Sequence, residues 1–186
     1  MTKLKPKIYI LPGWGDRITD SNYQKLIYIA KKNYNFIPLR IATRNRKYSL
    51  GSDKSLSEII EKIEKQIIEP SENDTILGFS IGALQSYLLA QRLRFKRVIL
   101  YSISSVLGED LISYPKRETL RIFSPSQHKE IFKKKYSKMK NAVLLYGEKE
   151  PEILKKRSRW IGRFVEIRGA DHVLDDVYIN TLKKFL

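Results

Sequence analysis

The sequence predicts an open α/β fold, in which a mostly parallel, doubly wound sheet of six strands carries helices on both faces. Six short runs rich in β-branched, leucine and aromatic residues are spread over the 186 residues. Segments with helical periodicity separate these runs. Such alternation of strands and helices is typical of right-handed βαβ crossovers and of a parallel sheet covered on both faces.

In the first half of the chain the pattern predicts strands, helices and two loops. The first strand ends at Pro12, where a glycine-rich loop begins. Pro38 places the second strand at an edge, because proline lacks the N–H that a ladder needs. Pro70 is expected to end the second helix. The predicted segments are a strand at 7–11, a loop at 12–16, a helix at about 19–33, a strand at 36–39, an exposed basic loop at 40–52 and a helix at about 53–69.

In the second half, four more strands alternate with helices. Each apolar run is followed by a turn, and Pro151 stands at the first turn of a helix, a position that suits proline. The predicted segments are strands at 74–79, 97–102, 141–146 and 163–167, an irregular stretch from 103 to about 125, and helices at 83–91, 127–139, after 151 and at 173–185.

Length and composition limit the function classes. A chain of 186 residues is long enough for one domain, and it contains no cysteine, so disulfides, thiolate metal sites and cysteine nucleophiles are excluded. No apolar run has the length of a membrane helix, and a cytoplasmic protein is the expectation. The net charge of +16 favours anionic partners without identifying one.

The apolar run at 76–79 ends at a serine between two glycines. Gly78, Ser80 and Gly82 form the pattern Gly-x-Ser-x-Gly. In a nucleophile elbow this serine occupies a strained turn between a strand and a helix, and the glycines allow close approach of the neighbouring backbone. A strand precedes Ser80 and a helix follows it, as the elbow requires.

A serine nucleophile needs a base to accept its proton. The chain has two histidines. His172 follows the last strand and therefore lies at the edge of the sheet where Ser80 is expected, whereas His128 begins a lysine-rich helix. We predict His172 as the base.

The base in turn needs a carboxylate to orient it, and three are candidates. Glu150 and Glu148 lie in the loop after the fifth strand, and Asp171 is adjacent to His172. Glu150 is preferred because it directly precedes Pro151, where its side chain can turn back over the sheet edge. Glu148 stays an alternative.

The oxyanion of an acyl intermediate needs backbone N–H donors. The residue after the nucleophile, Ile81, supplies one, and the loop after the first strand supplies the other, for which we predict Trp14. Pro12 has no N–H to donate. Gly13 and Phe79 are candidates for the substrate pocket. This chemistry needs no metal ion or cofactor.

These motifs together resemble the α/β-hydrolase superfamily, over nearly the whole chain. The segments 12–15, 78–82, 147–150 and 169–172 follow the order loop, serine, acid and histidine. The resemblance implies a single domain over 1–186, a minimal core without the two leading strands, and a short cap-like insertion around 103–140. In two respects the sequence departs from the usual pattern, since Glu150 stands where aspartate is common and Pro12 replaces a polar residue in the oxyanion loop.

The function expected from this resemblance is that of a serine carboxylesterase acting on a small acyl ester. Gly13-Trp14-Gly15 and the aromatic Phe79 also resemble the pimeloyl-acyl-carrier-protein methyl ester carboxylesterases. An acyl methyl esterase or thioesterase using an acidic acyl carrier protein is therefore an alternative, for which the basic surface would be suited.

A non-catalytic module is the alternative of another class. Basic clusters around Arg44 and at 155–157 would hold an anionic partner. They lack the regular aromatic residues that stack on bases, so nucleic acid is not favoured.

Overall fold

The computed structural model describes residues 5–13, 15–40, 55–103, 130 and 137–186. The predicted basic loop apart from Arg40, most of the cap-like insertion and most of the predicted helix at 127–139 lie outside these residues, as do Trp14, Arg44 and His128.

The described strands form one parallel sheet of six, and the predicted fold class is confirmed. The strand order is β2-β1-β3-β4-β5-β6, and every neighbouring pair is parallel. The predicted second strand lies at an edge, with its last residue at Pro38. The strands are β1 Lys7–Leu11, β2 Asn35–Pro38, β3 Thr75–Phe79, β4 Arg97–Tyr101, β5 Ala142–Gly147 and β6 Arg163–Ile167.

Five helices accompany these strands in the described part of the chain: four lie between consecutive strands and the fifth follows β6. Ser55 and Glu58 form a capping box at the start of α2, in which each side chain accepts from the other's backbone N–H. The helices are α1 Ser21–Ala30, α2 Leu56–Glu64, α3 Ile81–Ala90, α4 Glu152–Ser158 and α5 Asp176–Leu182.

The prediction that Pro70 ends the second helix is wrong, because α2 ends at Glu64. The N–H groups of Gln66 and Ile67 turn to the carbonyls three residues before them. The Gln66 side chain accepts from the N–H of Arg40 and donates to its carbonyl, both at 2.9 Å. A tertiary contact thus stops the helix before the proline does.

The last helix begins three residues later than predicted. The Asp175 side chain accepts from the N–H groups of Val177 and Tyr178 and so caps α5. Before it, the N–H of Val173 bonds to the Asp171 carbonyl and that of Asp175 to the Val173 carbonyl. These tight turns leave the backbone beside His172 outside the helix.

The sheet has a hydrophobic core on each face. Side chains alternate along β1, with Tyr9 and Leu11 in one core and Ile8 and Ile10 in the other. Helices α2, α3 and α4 cover the first face, whereas α1 and α5 cover the second. No helix of the described residues is long and apolar enough to cross a bilayer.

The order of the strands reverses between β1 and β3. From β1 the chain moves outward to β2 and then returns to the opposite side of β1. In open parallel sheets, ligands bind beyond the carboxyl ends of the strands at such a switch point. The loop after β1 and the turn at Ser80 meet there.

Candidate active site

Ser80 lies in the turn between β3 and α3, in a backbone conformation that side chains rarely adopt. Its φ is 53° and its ψ is −115°, a region that costs a residue with a Cβ about 1–3 kcal/mol. A Cβ on Gly78 would lie 2.2 Å from the Gly82 carbonyl oxygen, and one on Gly82 would lie 2.3 Å from that of Leu11. Both glycines are thus required by the packing of this turn.

His172 lies in the segment between β6 and α5 and joins two polar side chains. Its Nε2 is 3.0 Å from the Ser80 hydroxyl oxygen, and its Nδ1 is 3.0 Å from Oε2 of Glu150. The ring packs against Phe79, with 5.4 Å between the ring centroids. When Nδ1 carries the proton, it donates to Glu150 and leaves Nε2 free to accept the serine proton.

Glu150 lies in the turn after β5 and is 3% exposed. While Oε2 faces His172, Oε1 accepts hydrogen bonds from the Gly147 N–H at 2.8 Å and from the Ser102 hydroxyl at 2.6 Å. The Tyr178 hydroxyl donates to the same oxygen. Both carboxylate oxygens thus have partners, which fixes the orientation of the group.

Ser102 and Tyr178 are site residues that the sequence analysis missed. Ser102 directly follows β4, is fully buried and has a φ of 44°. The register that pairs Phe79 with Tyr101 puts Ser102 at the same level as Ser80 on the next strand. A polar residue at the end of a buried strand was an available signal, but Tyr178 reads as part of the apolar stripe of its helix.

Burial and hydrogen bonding act in opposite directions on the Glu150 carboxylate. Burial, the largest single influence, raises its pKa, but the bonds from His172, Ser102, Tyr178 and the Gly147 N–H together bring the pKa below its ordinary value. Burial and then the Glu150 charge raise the pKa of Tyr178. Tyr178 therefore stays a neutral donor and Glu150 stays ionised at neutral pH.

The two alternative acids are placed differently. Glu148 accepts from the Gly169 N–H at 2.8 Å and so ties its loop to the segment that carries His172. Asp171 accepts from the backbone N–H of His172 at 2.7 Å. Of the three candidates, Glu150 is the one whose carboxylate meets the imidazole.

The Ile81 N–H stands at the start of α3, where a helix has no internal acceptor. The N–H groups of Ala83 and Leu84 bond to the Ser80 carbonyl, whereas that of Ile81 has no acceptor among the described residues. It is therefore available to a ligand beside Ser80. The second predicted donor, Trp14, lies outside the described residues.

The loop after β1 is held by a short polar network. The N–H of Gly13 donates to the Tyr23 hydroxyl at 3.0 Å, and that hydroxyl donates to Oδ2 of Asp16 at 3.0 Å. A Cβ on Gly13 would meet both Asp16 and the Phe79 ring at 2.7 Å. Gly13 thus allows the loop to lie close to Phe79, and its N–H is already used.

Asp16 brings a second carboxyl close to the site. Burial is the largest influence and raises the pKa of Asp16, the hydrogen bond from Tyr23 lowers it, and the nearby Asp20 charge raises it further.

Among the described residues, no three side chains of His, Cys, Asp or Glu are grouped so that they could hold a metal ion.

Solved structures with the same architecture include proteins of bacterial and animal origin. Est1E from Butyrivibrio proteoclasticus, solved with ferulic acid bound, has a TM-score of 0.72 and 12% identity, over 98% of this chain and 86% of that one. The α/β hydrolase domain-containing protein 10 from mouse has a TM-score of 0.71 and 14% identity, over 97% and 87%. A hydrolase from a sediment metagenome of the Mar Chica lagoon has a TM-score of 0.70 and 19% identity, over 97% and 88%. No family model and no curated protein matches the sequence.

Proposed function

We propose that this chain, which has the α/β-hydrolase fold, is a serine-dependent hydrolase of carboxylic esters. The α/β-hydrolase fold expected from the sequence is confirmed, since the structural neighbours are α/β hydrolases matched over nearly the whole chain. The proposed activity is argued from the geometry of Ser80, His172 and Glu150. We treat residues 1–186 as one catalytic domain, with the segment around 103–140 as a short cap-like insertion.

The observation that carries the proposal is an unbroken line of hydrogen-bond contacts that ends at a strained serine. It runs from Glu150 Oε2 through both nitrogens of His172 to the Ser80 hydroxyl, with 3.0 Å at each contact. The lone N–H of Ile81 lies directly after that serine. A nucleophile, a base, an orienting acid and an oxyanion donor are the parts that acyl transfer needs.

In the first half of the reaction, Ser80 Oγ attacks the carbonyl carbon of the ester while its proton moves to His172 Nε2. The carbonyl oxygen becomes an oxyanion held by the Ile81 N–H and by the loop after β1, where we assign the second donor to Trp14. The imidazolium formed on His172 is stabilised by Glu150, which stays ionised. Collapse of the intermediate transfers the proton to the alcohol, which leaves, and an acyl-Ser80 remains.

In the second half, water replaces the alcohol. His172 Nε2 takes a proton from the water as its oxygen attacks the acyl carbon, and the second tetrahedral intermediate forms at the same oxyanion site. The proton then returns to Ser80 Oγ as the carboxylic acid leaves. Both halves use the same charges at the same atoms, so no further group is needed in the reaction.

The substrate assigned here is a small acyl ester. Support comes from the structural neighbours, among which are Est1E, solved with ferulic acid bound, and an esterase from a marine microorganism. We assign Gly13 and Phe79 to the substrate pocket, in support of which the Phe79 ring lies against both Gly13 and His172.

A fluorophosphonate probe and a p-nitrophenyl ester test the proposal together. We expect the probe to label the folded protein at Ser80, and Ser80→Ala to lower kcat by about 10⁴–10⁶-fold. Ser71→Ala, which changes a serine at the opposite edge of the sheet, is the matched control and should keep both signals. Full turnover by Ser80→Ala would disprove the mechanism, and a folded protein that neither reacts with the probe nor cleaves esters would favour a non-catalytic role.

A further inference from the structure

The fold separates the charges of the described residues between the two edges of the sheet. Six segments that follow helices or precede strands meet at the amino edge, and they contain eleven lysines and arginines but three acidic residues. The described segments at the carboxyl edge, where Ser80 lies, contain four basic and six acidic residues. We call the amino edge the basic edge. It comprises the segments 31–34, 65–74, 91–96, 137–141, 159–162 and 183–186, together with the residues before or at the start of the strands, among them Lys5, Arg97 and Arg163.

Lysines of the basic edge are gathered where α1 and α5 end side by side. The Lys5 ammonium donates to the carbonyls of Lys31 and Lys32, at 3.1 and 2.9 Å. The Asn33 side chain donates to the Leu186 carbonyl at 3.5 Å. Residues 183–186, which include two more lysines, therefore lie against the same corner.

Two arginines extend this corner toward the middle of the sheet. The Arg97 guanidinium donates to the Phe185 carbonyl, and the Arg163 guanidinium lies 5.7 Å from the centre of the Phe185 ring. Both arginines begin strands, so their charges lie on the same edge as the lysines. Seven cationic residues thus belong to this corner, of which Lys32 also lies over the Tyr28 ring and Lys183 donates to the Asn180 side chain.

None of these seven cations has a carboxylate of the described residues within ion-pair distance. Elsewhere on the basic edge, Arg92 pairs with Glu64 and Arg94 pairs with Glu72. A helix dipole favours a cation at each helix end by about 0.3–1 kcal/mol. It does not account for a pair of lysines at the end of each of two neighbouring helices, because like charges repel each other. An anionic partner would remove that repulsion.

The basic edge also exposes large apolar side chains. Ile68 is 72% exposed and Trp160 is 44% exposed, and each lies in a segment between a helix and the next strand. Isoleucine has no flat face for a base to stack on, whereas isoleucine and tryptophan beside lysines are typical of surfaces that lie in the lipid headgroup region. We propose that the basic edge docks on an anionic lipid bilayer.

This docking would leave the proposed active site facing water. The strands between the two edges have about five residues, which separates the edges by about 17 Å. An acyl carrier protein held by the basic edge would therefore lie on the wrong side to present its acyl group to Ser80. The ammonium of Lys155 does not add to the basic edge, because it is buried between Glu152 and Glu166 at 2.8 and 2.7 Å.

Co-sedimentation with extruded vesicles tests the proposal on the full chain, independently of any esterase activity. We expect binding to phosphatidylcholine vesicles that contain phosphatidylserine, and a strong loss of binding as NaCl is raised. Each lysine at an anionic surface contributes about a fivefold factor in partitioning, so Lys32→Gln with Lys184→Gln should weaken binding about 25-fold. Vesicles of phosphatidylcholine alone should not bind the protein.

The matched control removes two exposed cations elsewhere. Arg17→Gln with Arg168→Gln makes the same change in net charge, but both residues lie at the carboxyl edge, so binding should change by less than about threefold. An equal loss in both double variants would overturn the assignment to this edge. Absence of binding to phosphatidylserine vesicles, or displacement from them by an RNA duplex at equal phosphate concentration, would overturn the bilayer as the partner.

Tryptophan emission gives a second readout. The chain has two tryptophans, so Trp14→Phe leaves Trp160 as the reporter. We expect brominated phosphatidylcholine, mixed with phosphatidylserine, to quench its emission when vesicles are added. Binding without quenching would mean that Trp160 does not reach the lipid, and it would refute the orientation proposed here.

Discussion

Replacing Tyr178 by phenylalanine removes one donor from Glu150 and the 2.7 Å contact between the Tyr178 and Ser102 hydroxyls. The Tyr178 ring packs against Tyr101 and Phe79, with centroids 5.3 and 6.3 Å away, and phenylalanine keeps these contacts. A hydrogen bond to a charged group contributes about 1.5–3 kcal/mol. Because that bond favours the ionised form of Glu150, its loss in Tyr178→Phe should raise the pKa of Glu150.

The consequence should depend on pH. Glu150 must be ionised to stabilise the imidazolium on His172, so a higher pKa moves its protonation toward the working range. The titratable groups that face Glu150 are His172 and Tyr178 among the described residues. We expect kcat/KM for a p-nitrophenyl ester to fall about tenfold at pH 7.5, where Glu150 is still ionised but is held by one donor fewer. The ratio of variant to wild type should decrease further toward pH 5, as Glu150 becomes protonated.

A double-mutant cycle separates this positioning role from a merely structural one. If Tyr178 acts through the Glu150 charge, Tyr178→Phe should change kcat less than twofold in a Glu150→Gln background. Ser102→Ala should behave in the same way, because its hydroxyl contacts the same oxygen. Equal losses in both backgrounds, with no change in the pH profile, would refute the reasoning.

The matched control is Tyr101→Phe. The Tyr101 hydroxyl is buried and has no hydrogen-bond partner among the described residues, and burial raises its pKa well above the ordinary value. Removing it leaves no group unpaired, so kcat should be unchanged and the thermal midpoint equal or higher. A loss of activity as large as that of Tyr178→Phe would show that the assay reports general damage to the hydrophobic core that contains both tyrosines.

Two further outcomes follow from the packing and charge of the site. Gly82→Ala should prevent folding or lower the thermal midpoint by more than 10 °C, because its Cβ would meet two backbone oxygens at 2.3 and 2.4 Å; a variant as stable as wild type would contradict this. The depressed pKa of Glu150 means that its carboxylate stabilises the fold above its ordinary value of 4.5 and stops doing so as pH falls through the lower folded value. In urea unfolding, wild type should therefore lose stability relative to Glu150→Gln below pH 4.5, and parallel curves would argue against it.

The sequence was sufficient for the sheet because strand positions depend on local patterns. All six predicted strands agree with the structure to within one or two residues at each end. Helix ends were less predictable, since they depend on contacts with distant segments. Gln66 bonds to Arg40 across the fold and ends α2 early, and no pattern within the helix itself encodes that contact.

The same distinction applies to the candidate site. Ser80, Glu150 and His172 could be selected because each follows a predicted strand, and the carboxyl ends of parallel strands meet at one edge. Ser102 also follows a strand, but its role depends on the register between β3 and β4. Tyr178 was hidden because one face of α5 carries both the core residues and the hydroxyl that reaches Glu150.

The length of the glutamate side chain explains why these extra donors belong to the site. Glu150 has one more rotatable bond than the aspartate common at this position, so its carboxylate needs more contacts to keep one orientation. Gly147 supplies one from its own turn, and Ser102 and Tyr178 supply two from other elements. Ser102 does so from a strained φ of 44°, a cost that the surrounding packing must offset. We infer that a Glu150→Asp variant would withdraw the carboxylate from these donors and lose activity despite keeping the charge.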